Sequence, residues 1–413
     1  RTVTISQSGL DSLHDRFVWS ADGSDSPLLS TLSVSNHPGM DTFEVIGRND
    51  RRGQFSVPYK GKRLAGGDLH RQLDEWVSRG VAEPSFADAV RAVMANPHWL
   101  DLRDLQLALL GAGAEMGPLR QLLDWGATVY AVDLPQADRW NAIMAIAKQS
   151  AGRLAVPIPR GSVNLDTASD AKVAGLAGID MIERTDALLS WLRDIDGPFI
   201  LGNYAYADGA SHVRVSMAID AVTVALSRSN SELSLAFLAT PTDVFAVPED
   251  AVAMARDRWR RRRTRRVLQA PLQLANLFEP AYRETVIDDT GREVGIADCL
   301  VPQQGPNYAL AKRLQRWRAI VAREAIARAG IAGSDIGQTI FGNVIHTAPE
   351  DMYVSRVVAM RAGVETHRVL RDLATLHRRH RRERQLPRQV TGGVDARHRG
   401  QAVVVDDHVP AVG

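Results

Sequence analysis

At 413 residues the chain is long enough for two or three domains, and a formal net charge of +2 gives no global argument for a nucleic-acid partner. No apolar run approaches the roughly 20 residues that a bilayer-spanning helix requires, so a membrane is not an expected partner. The lone Cys299 excludes an intrachain disulfide framework and a multi-cysteine zinc site, and a cytoplasmic location fits best.

Residues 1–100 read as an extension of mixed and helical character. Up to about Gly66 the chain is rich in Ser, Gly and Asp, with short β-like runs at Thr42–Ile46 and Gln54–Val57. Two helical patterns follow. Leu69, Leu73, Trp76 and Val77 recur at helical spacing, and Pro84 opens a second run through Phe86, Ala89, Val90 and Val93. The chain opens on Arg1 rather than Met, so a leader or further domain could precede it.

From residue 101 to about 360 the pattern alternates strand and helix. Strands are expected at Leu105–Leu110, Val129–Val132, Leu154–Ile158, Phe199–Leu201 and Leu233–Ala239, and a further one at Gln338–Ile345. Helices are expected at Leu119–Trp125, Trp140–Ala147, Thr185–Leu192, Val213–Leu226 and Tyr308–Ala329. Strands separated by single helices predict an α/β fold, a doubly wound parallel sheet of Rossmann-like type, with an insertion at about 243–305. Residues 361–413 are crowded with Arg and His and lack the apolar surface that offsets ordering entropy. They are expected to be largely disordered beyond a helix ending near Leu376.

The segment from Leu110 to Pro118 lies between an expected strand and an expected helix, the context in which a glycine cluster carries meaning. Gly111 and Gly113 permit a tight turn and close backbone approach to a pyrophosphate. The turn Gly111, Gly113, Glu115, Met116 and Gly117 is therefore the candidate phosphate cradle. Asp133 ends the next strand, where a carboxylate accepts hydrogen bonds from ribose hydroxyls and repels a 2′-phosphate, favouring NAD over NADP. An S-adenosylmethionine-dependent methyltransferase would place a glycine turn and an acidic residue in the same way. A nucleotide-binding protein without catalysis is a further alternative.

Tyr308 and Lys312 stand four residues apart on one expected helix, so they share a face. An ammonium beside a phenol favours the phenolate, and a tyrosine so tuned can exchange a proton with a carbonyl or hydroxyl substrate. With seven tyrosines and five lysines in the chain, about 0.08 such pairs are expected by chance, so coincidence is uncommon; the alternative is a tyrosine and a lysine on a solvated helix face.

Together these features resemble the short-chain dehydrogenase/reductase superfamily over about Leu105 to Pro349. Gly111, Gly113 and Gly117 match its glycine loop, with Leu110 in place of the threonine and Glu115 in place of the middle glycine. Tyr308 and Lys312 match its catalytic pair, and Gly202-Asn203-Tyr204-Ala205 retains part of its N-N-A-G signature. The resemblance implies NAD-dependent hydride transfer with a small carbonyl or alcohol substrate. Tyr308 would be the acid/base, Lys312 its modulator and ribose contact, and Asn203 a further cofactor-side residue. Thr240 or Thr242 would take the place of the family's serine. A homo-oligomer is compatible with this reading.

Two other signals are discounted. The arginine run Arg256–Arg266 is read as a solvated helix rather than a nucleic-acid contact. His346 with Glu350 and Asp351 is interrupted by Pro349 and is read as a loop histidine rather than a metal site.

Overall fold

A computed structural model describes residues 2–328 except 22–23, 33–38, 50–53, 80, 83, 231–232, 238–243, 248, 262–266, 268, 272–273, 275–281, 283–284, 288–290 and 299–304. In chain order the first elements are α1 (Thr2–Arg16), the short hairpin β1 (Val18–Ala21) and β2 (Ser24–Pro27), α2 (Leu28–Thr31), and β3 (Met40–Ile46). A second hairpin, β4 (Ser56–Tyr59) and β5 (Lys62–Ala65), is followed by α3 (Gly66–Ser78) and α4 (Pro84–Ala95). Lys60 and Gly61 both take positive φ, 48° and 75°, the two-residue turn whose twist matches a tight hairpin. Leu69, Leu73 and Ala87 form a small core under this hairpin, with Trp76 edge-on to Tyr59 at 5.1 Å.

The central region runs β6 (Gln106–Leu110), α5 (Leu119–Asp124), β7 (Thr128–Val132), α6 (Ala137–Lys148), β8 (Arg153–Pro159), α7 (Asp170–Ala174), α8 (Thr185–Arg193), β9 (Ile200–Asn203), α9 (Ala210–Ser229) and β10 (Ser234–Phe237). Every strand and helix expected between residues 105 and 239 is present within a few residues of its expected position. A six-stranded sheet has the order β10-β9-β6-β7-β8-β3. The pairings among β6 to β10 are parallel, and β3 adds antiparallel to β8 at one edge. The fold is thus α/β around a mostly parallel sheet.

Burial explains the sheet. Within β6, Leu107 and Leu109 belong to one apolar core with Leu123, Trp140, Ile143 and Leu154. Ala108 and Leu110 belong to the other, with Leu188, Leu192, Val222 and Leu226. Alternate side chains point to opposite faces, so a strand covered on both sides reads as an unbroken apolar run. Helices α5, α6 and α7 cover one face; α8 and α9 cover the other.

Beyond residue 243 a three-stranded antiparallel sheet forms from β11 (Val244–Val247), β12 (Thr285–Ile287) and β13 (Glu293–Asp298), with α10 (Glu249–Arg261) packed on it. The long helix α11 (Gly305–Arg328) then returns to pack on α9 and α1. In the arginine run, Arg256 pairs with Glu293 at 3.4 Å and Arg261 with Asp257 at 2.8 Å, while residues 262–266 lie outside the described set. The strand expected at Gln338–Ile345, the His346 group and the 361–413 tail also lie outside it. No helix among the described residues is long and apolar enough to cross a membrane.

One N-terminal element differs from expectation. Thr2–Arg16 is helical although it carries Thr, Val, Ile, Ser and Gly, all modest or poor helix formers. Packing supplies the difference, since Leu10 is fully buried and Gly9 lies against the indole of Trp317 on α11, where a side chain would have no room. The β-like run at Thr42–Ile46 is realised as β3 and joins the main sheet.

Candidate functional site

The strand order turns at β6: chain neighbours run one way through β7 and β8 and the other way through β9 and β10. In open parallel sheets, loops leaving adjacent strands in opposite directions open a crevice at their carboxyl ends. Here those loops are Gly111–Pro118 after β6 and Tyr204–Gly209 after β9.

Gly111 has φ +84°, and a Cβ on it would lie 2.8 Å from the Ala205 backbone and 2.9 Å from the Tyr204 carbonyl carbon. Both conformation and proximity require glycine. Gly111→Ala is therefore expected to cost about 1–3 kcal/mol, read by denaturant unfolding, because the 204–205 backbone must retreat. An unchanged midpoint would show that the contact is slack.

Most of the turn's amides are already engaged. Gly111 N–H and Ala112 N–H donate to Val132 O, Ala114 N–H to Gly111 O, and Gly117 N–H to Ala114 O. Gly113 N–H donates to Asp133 Oδ2 at 2.7 Å. No acceptor among the described residues takes the N–H of Glu115 or Met116, and both residues are exposed. Those two amides are the ones a phosphate could reach. Helix α5 begins only at Leu119 and spans six residues, so its dipole adds little.

Asp133 stands where expected, at the end of β7, but is 3% exposed. Besides Gly113 it accepts from Leu134 N–H at 2.8 Å and is paired with Arg139. Its carboxylate thus fixes the turn. Asn203, at the end of β9, is buried and accepts from Ala205 N–H through Oδ1 at 3.3 Å, holding the neighbouring loop.

The loop that touches Gly111 also reaches the tyrosine–lysine helix. Tyr206 lies 6.3 Å, ring to ring, from Tyr308 and 5.1 Å from His212. His212 stacks on Tyr308 at 5.4 Å with planes 16° apart, and its Nδ1 accepts from Ala207 N–H at 3.3 Å. Residues 204–207 therefore bridge the glycine turn and Tyr308. Lys312 is 8% exposed; its Nζ lies 5.7 Å from the Tyr308 ring centroid and donates to Gln315 Oε1 at 3.3 Å. Burial pushes the Lys312 ammonium down to about 8. Burial, with the Lys312 charge second, pushes His212 down to about 4, so its imidazole is neutral at physiological pH.

Thr240 and Thr242 lie outside the described residues. Among the residues that are described, sequence reasoning missed His212 and Tyr206. A signal for the first was present: His212, Ser216 and Asp220 recur every four residues, a polar line among the apolar residues of the helix. No group of three or more His, Cys, Asp or Glu side chains among the described residues is placed to hold a metal ion.

Comparison with known proteins adds little to this geometry. No family model matches the chain, and no solved structure matches it significantly. A stretch of 46 residues is 56% identical to part of the beta-ketothiolase BktB of Cupriavidus necator. That match covers 11% of this chain and 12% of the thiolase's length, and it says nothing of the remaining residues.

Proposed function

We propose that this chain is an NAD-dependent oxidoreductase similar to the short-chain dehydrogenases/reductases, with a Rossmann-type sheet carrying a dinucleotide over the Gly111–Gly117 turn. One observation carries the proposal: the 204–207 loop approaches Gly111 at one end and Tyr308 at the other, so a glycine turn and a Tyr–Lys pair flank one short loop. The short likeness to a thiolase is compatible with an enzyme but concerns too little of the chain to bear on the reaction.

The residues present fit a dinucleotide. Exposed amides at Glu115 and Met116 suit a pyrophosphate, and Asp133 keeps a lone pair for a ribose hydroxyl after its three present partners. When bound, NAD would supply or accept the hydride. The chain's residues would do the rest. Tyr308 would exchange a proton with the substrate oxygen, and the buried Lys312 ammonium would stabilise the phenolate that results. Asn203 would hold the 203–205 backbone against the turn.

Titration calorimetry with NAD, NADP and S-adenosylmethionine tests the reading. NAD binding is expected, with no uptake of S-adenosylmethionine. The opposite preference would turn the crevice into a methyltransferase site, and NAD binding without turnover on a broad alcohol and ketone panel would leave only a nucleotide pocket. Arg139, paired with Asp133, is the cation a 2′-phosphate would meet. Arg139→Ala is therefore expected to weaken NADP roughly tenfold while sparing NAD. Equal losses for both cofactors would show that the arginine serves only to hold Asp133.

A further inference from the structure

We propose that His212 is a catalytic hydrogen-bond donor that holds the substrate's reacting oxygen beside Tyr308, a role that rests on the oxidoreductase reading above. The imidazole is 1% exposed and lies face to face with the Tyr308 ring. Its Nδ1 accepts from the Ala207 amide, so in the neutral ring the proton sits on Nε2. That Nε2 is buried and has no hydrogen-bond partner among the described residues. Buried donors are almost always satisfied, and one left open on a ring stacked against the proposed acid/base is explained by a ligand acceptor.

Neutrality suits the role. Burial and the nearby Lys312 charge keep the ring unprotonated down to about pH 4, so Nε2–H donates a hydrogen bond without surrendering its proton. In the reductive direction a bound reduced nicotinamide would supply the hydride for the new C–H bond, and the carbonyl π pair would move onto the substrate oxygen. That oxygen takes the Tyr308 hydroxyl proton, giving the alcohol and oxidised cofactor, and the phenolate recovers a proton from water. Throughout, the His212 N–H stays in place and stabilises the negative charge growing on oxygen. Its backbone anchor is the loop that touches Gly111, so the donor is fixed relative to the turn by two contacts, Ala207 on His212 and Ala205 on Gly111.

The test compares wild type, His212→Leu and His212→Gln in three readouts: ketone reduction with NADH, NAD affinity by calorimetry, and thermal midpoint. His212→Leu is expected to lower kcat about 10²-fold. His212→Gln keeps an amide donor and should recover at least about tenfold of that loss. NAD affinity should stay within about twofold in both, because His212 makes no contact with the glycine turn. The thermal midpoint of His212→Gln should hold, since its amide keeps an acceptor for Ala207 N–H, whereas His212→Leu loses that acceptor and should fall by about 2–4 °C. A histidine that merely props the 204–207 loop gives a different signature, activity lost only in proportion to the midpoint in both variants. That result, or full turnover in His212→Leu, would mean that Nε2 is capped by an ordered water only, and the role would fall alone. A wild-type protein with no NAD affinity or no turnover would sink the oxidoreductase reading and this role with it.

Discussion

Tyr308→Phe is expected to reduce turnover about 10²–10⁴-fold, the range spanned by general acid–base catalysis, while NAD affinity stays within about twofold. The phenyl ring keeps its stacking on His212 and its place over Lys312, so the change is confined to the hydroxyl that carries the exchangeable proton. Steady-state kinetics with a matched binding isotherm checks it. Turnover retained within a factor of about three would show that the phenol carries no proton in the rate-limiting step. The same pair sets an alkaline limit. Because the Lys312 ammonium is lost near pH 8 rather than near the ordinary lysine value, any rate that depends on it should fall as pH rises through about 8. For stability the sign is opposite. Between the folded value near 8 and the ordinary lysine value the unfolded chain binds the extra proton, so folding gains as pH rises through that window.

The second large effect lies deeper, where three helices meet. Asp220 of α9 accepts two hydrogen bonds from the Arg318 guanidinium of α11, both at 2.7 Å, and one from His14 Nε2 of α1 at 2.7 Å. The aspartate side chain is 2% exposed and the arginine 12%. Burial alone would raise the Asp220 carboxyl, but the Arg318 and His14 hydrogen bonds outweigh it and hold it below the usual carboxylate range.

Asp220→Ala leaves a buried guanidinium without its counter-charge and is expected to cost about 3–5 kcal/mol. That corresponds to a fall of about 10 °C in the thermal midpoint. Replacing all three members by apolar residues should restore much of the loss, because no charge is then left uncompensated. A loss below about 1 kcal/mol for Asp220→Ala would show that water reaches the arginine. The acid dependence follows from the same direction. A depressed carboxyl contributes its stability above the ordinary aspartate value, near 4, and loses it as pH falls through the lower folded value.

The proposed catalytic pair and the buried ion triad share one seam. Tyr308, Lys312, Gln315 and Arg318 line α11, and His212, Ser216 and Asp220 line α9. The ion triad at the inner end fixes α11 against α9, and that fixes how Tyr308 meets His212 at the outer end. An Asp220 variant that folds should therefore also lose turnover, through misplacement of Tyr308 rather than loss of a reacting group.

The sheet was legible because its strands are buried on both faces. Leu107–Leu110, Val129–Val132 and Leu154–Ile158 are continuous apolar runs bounded by glycine or charge, and such runs have few alternative folds. The glycine turn and Asp133 were legible for a similar local reason: a residue with φ +84° and a terminal acid each follow from a few neighbouring residues. Helix α1 was not, because its own propensity is poor and its stability comes from α11, some three hundred residues later.

Sequence alone determined the alternation of strand and helix, the glycine turn, its acid, and the spacing of Tyr308 and Lys312, since each depends on neighbours within one element. The tertiary structure decided what those elements face. It covered Asp133 with Arg139, laid His212 on Tyr308 across 96 residues of chain, and tied α1, α9 and α11 through Asp220. Contacts of that kind have no period and no local propensity. They arise from burial, which forces distant polar groups to find one another once water is gone.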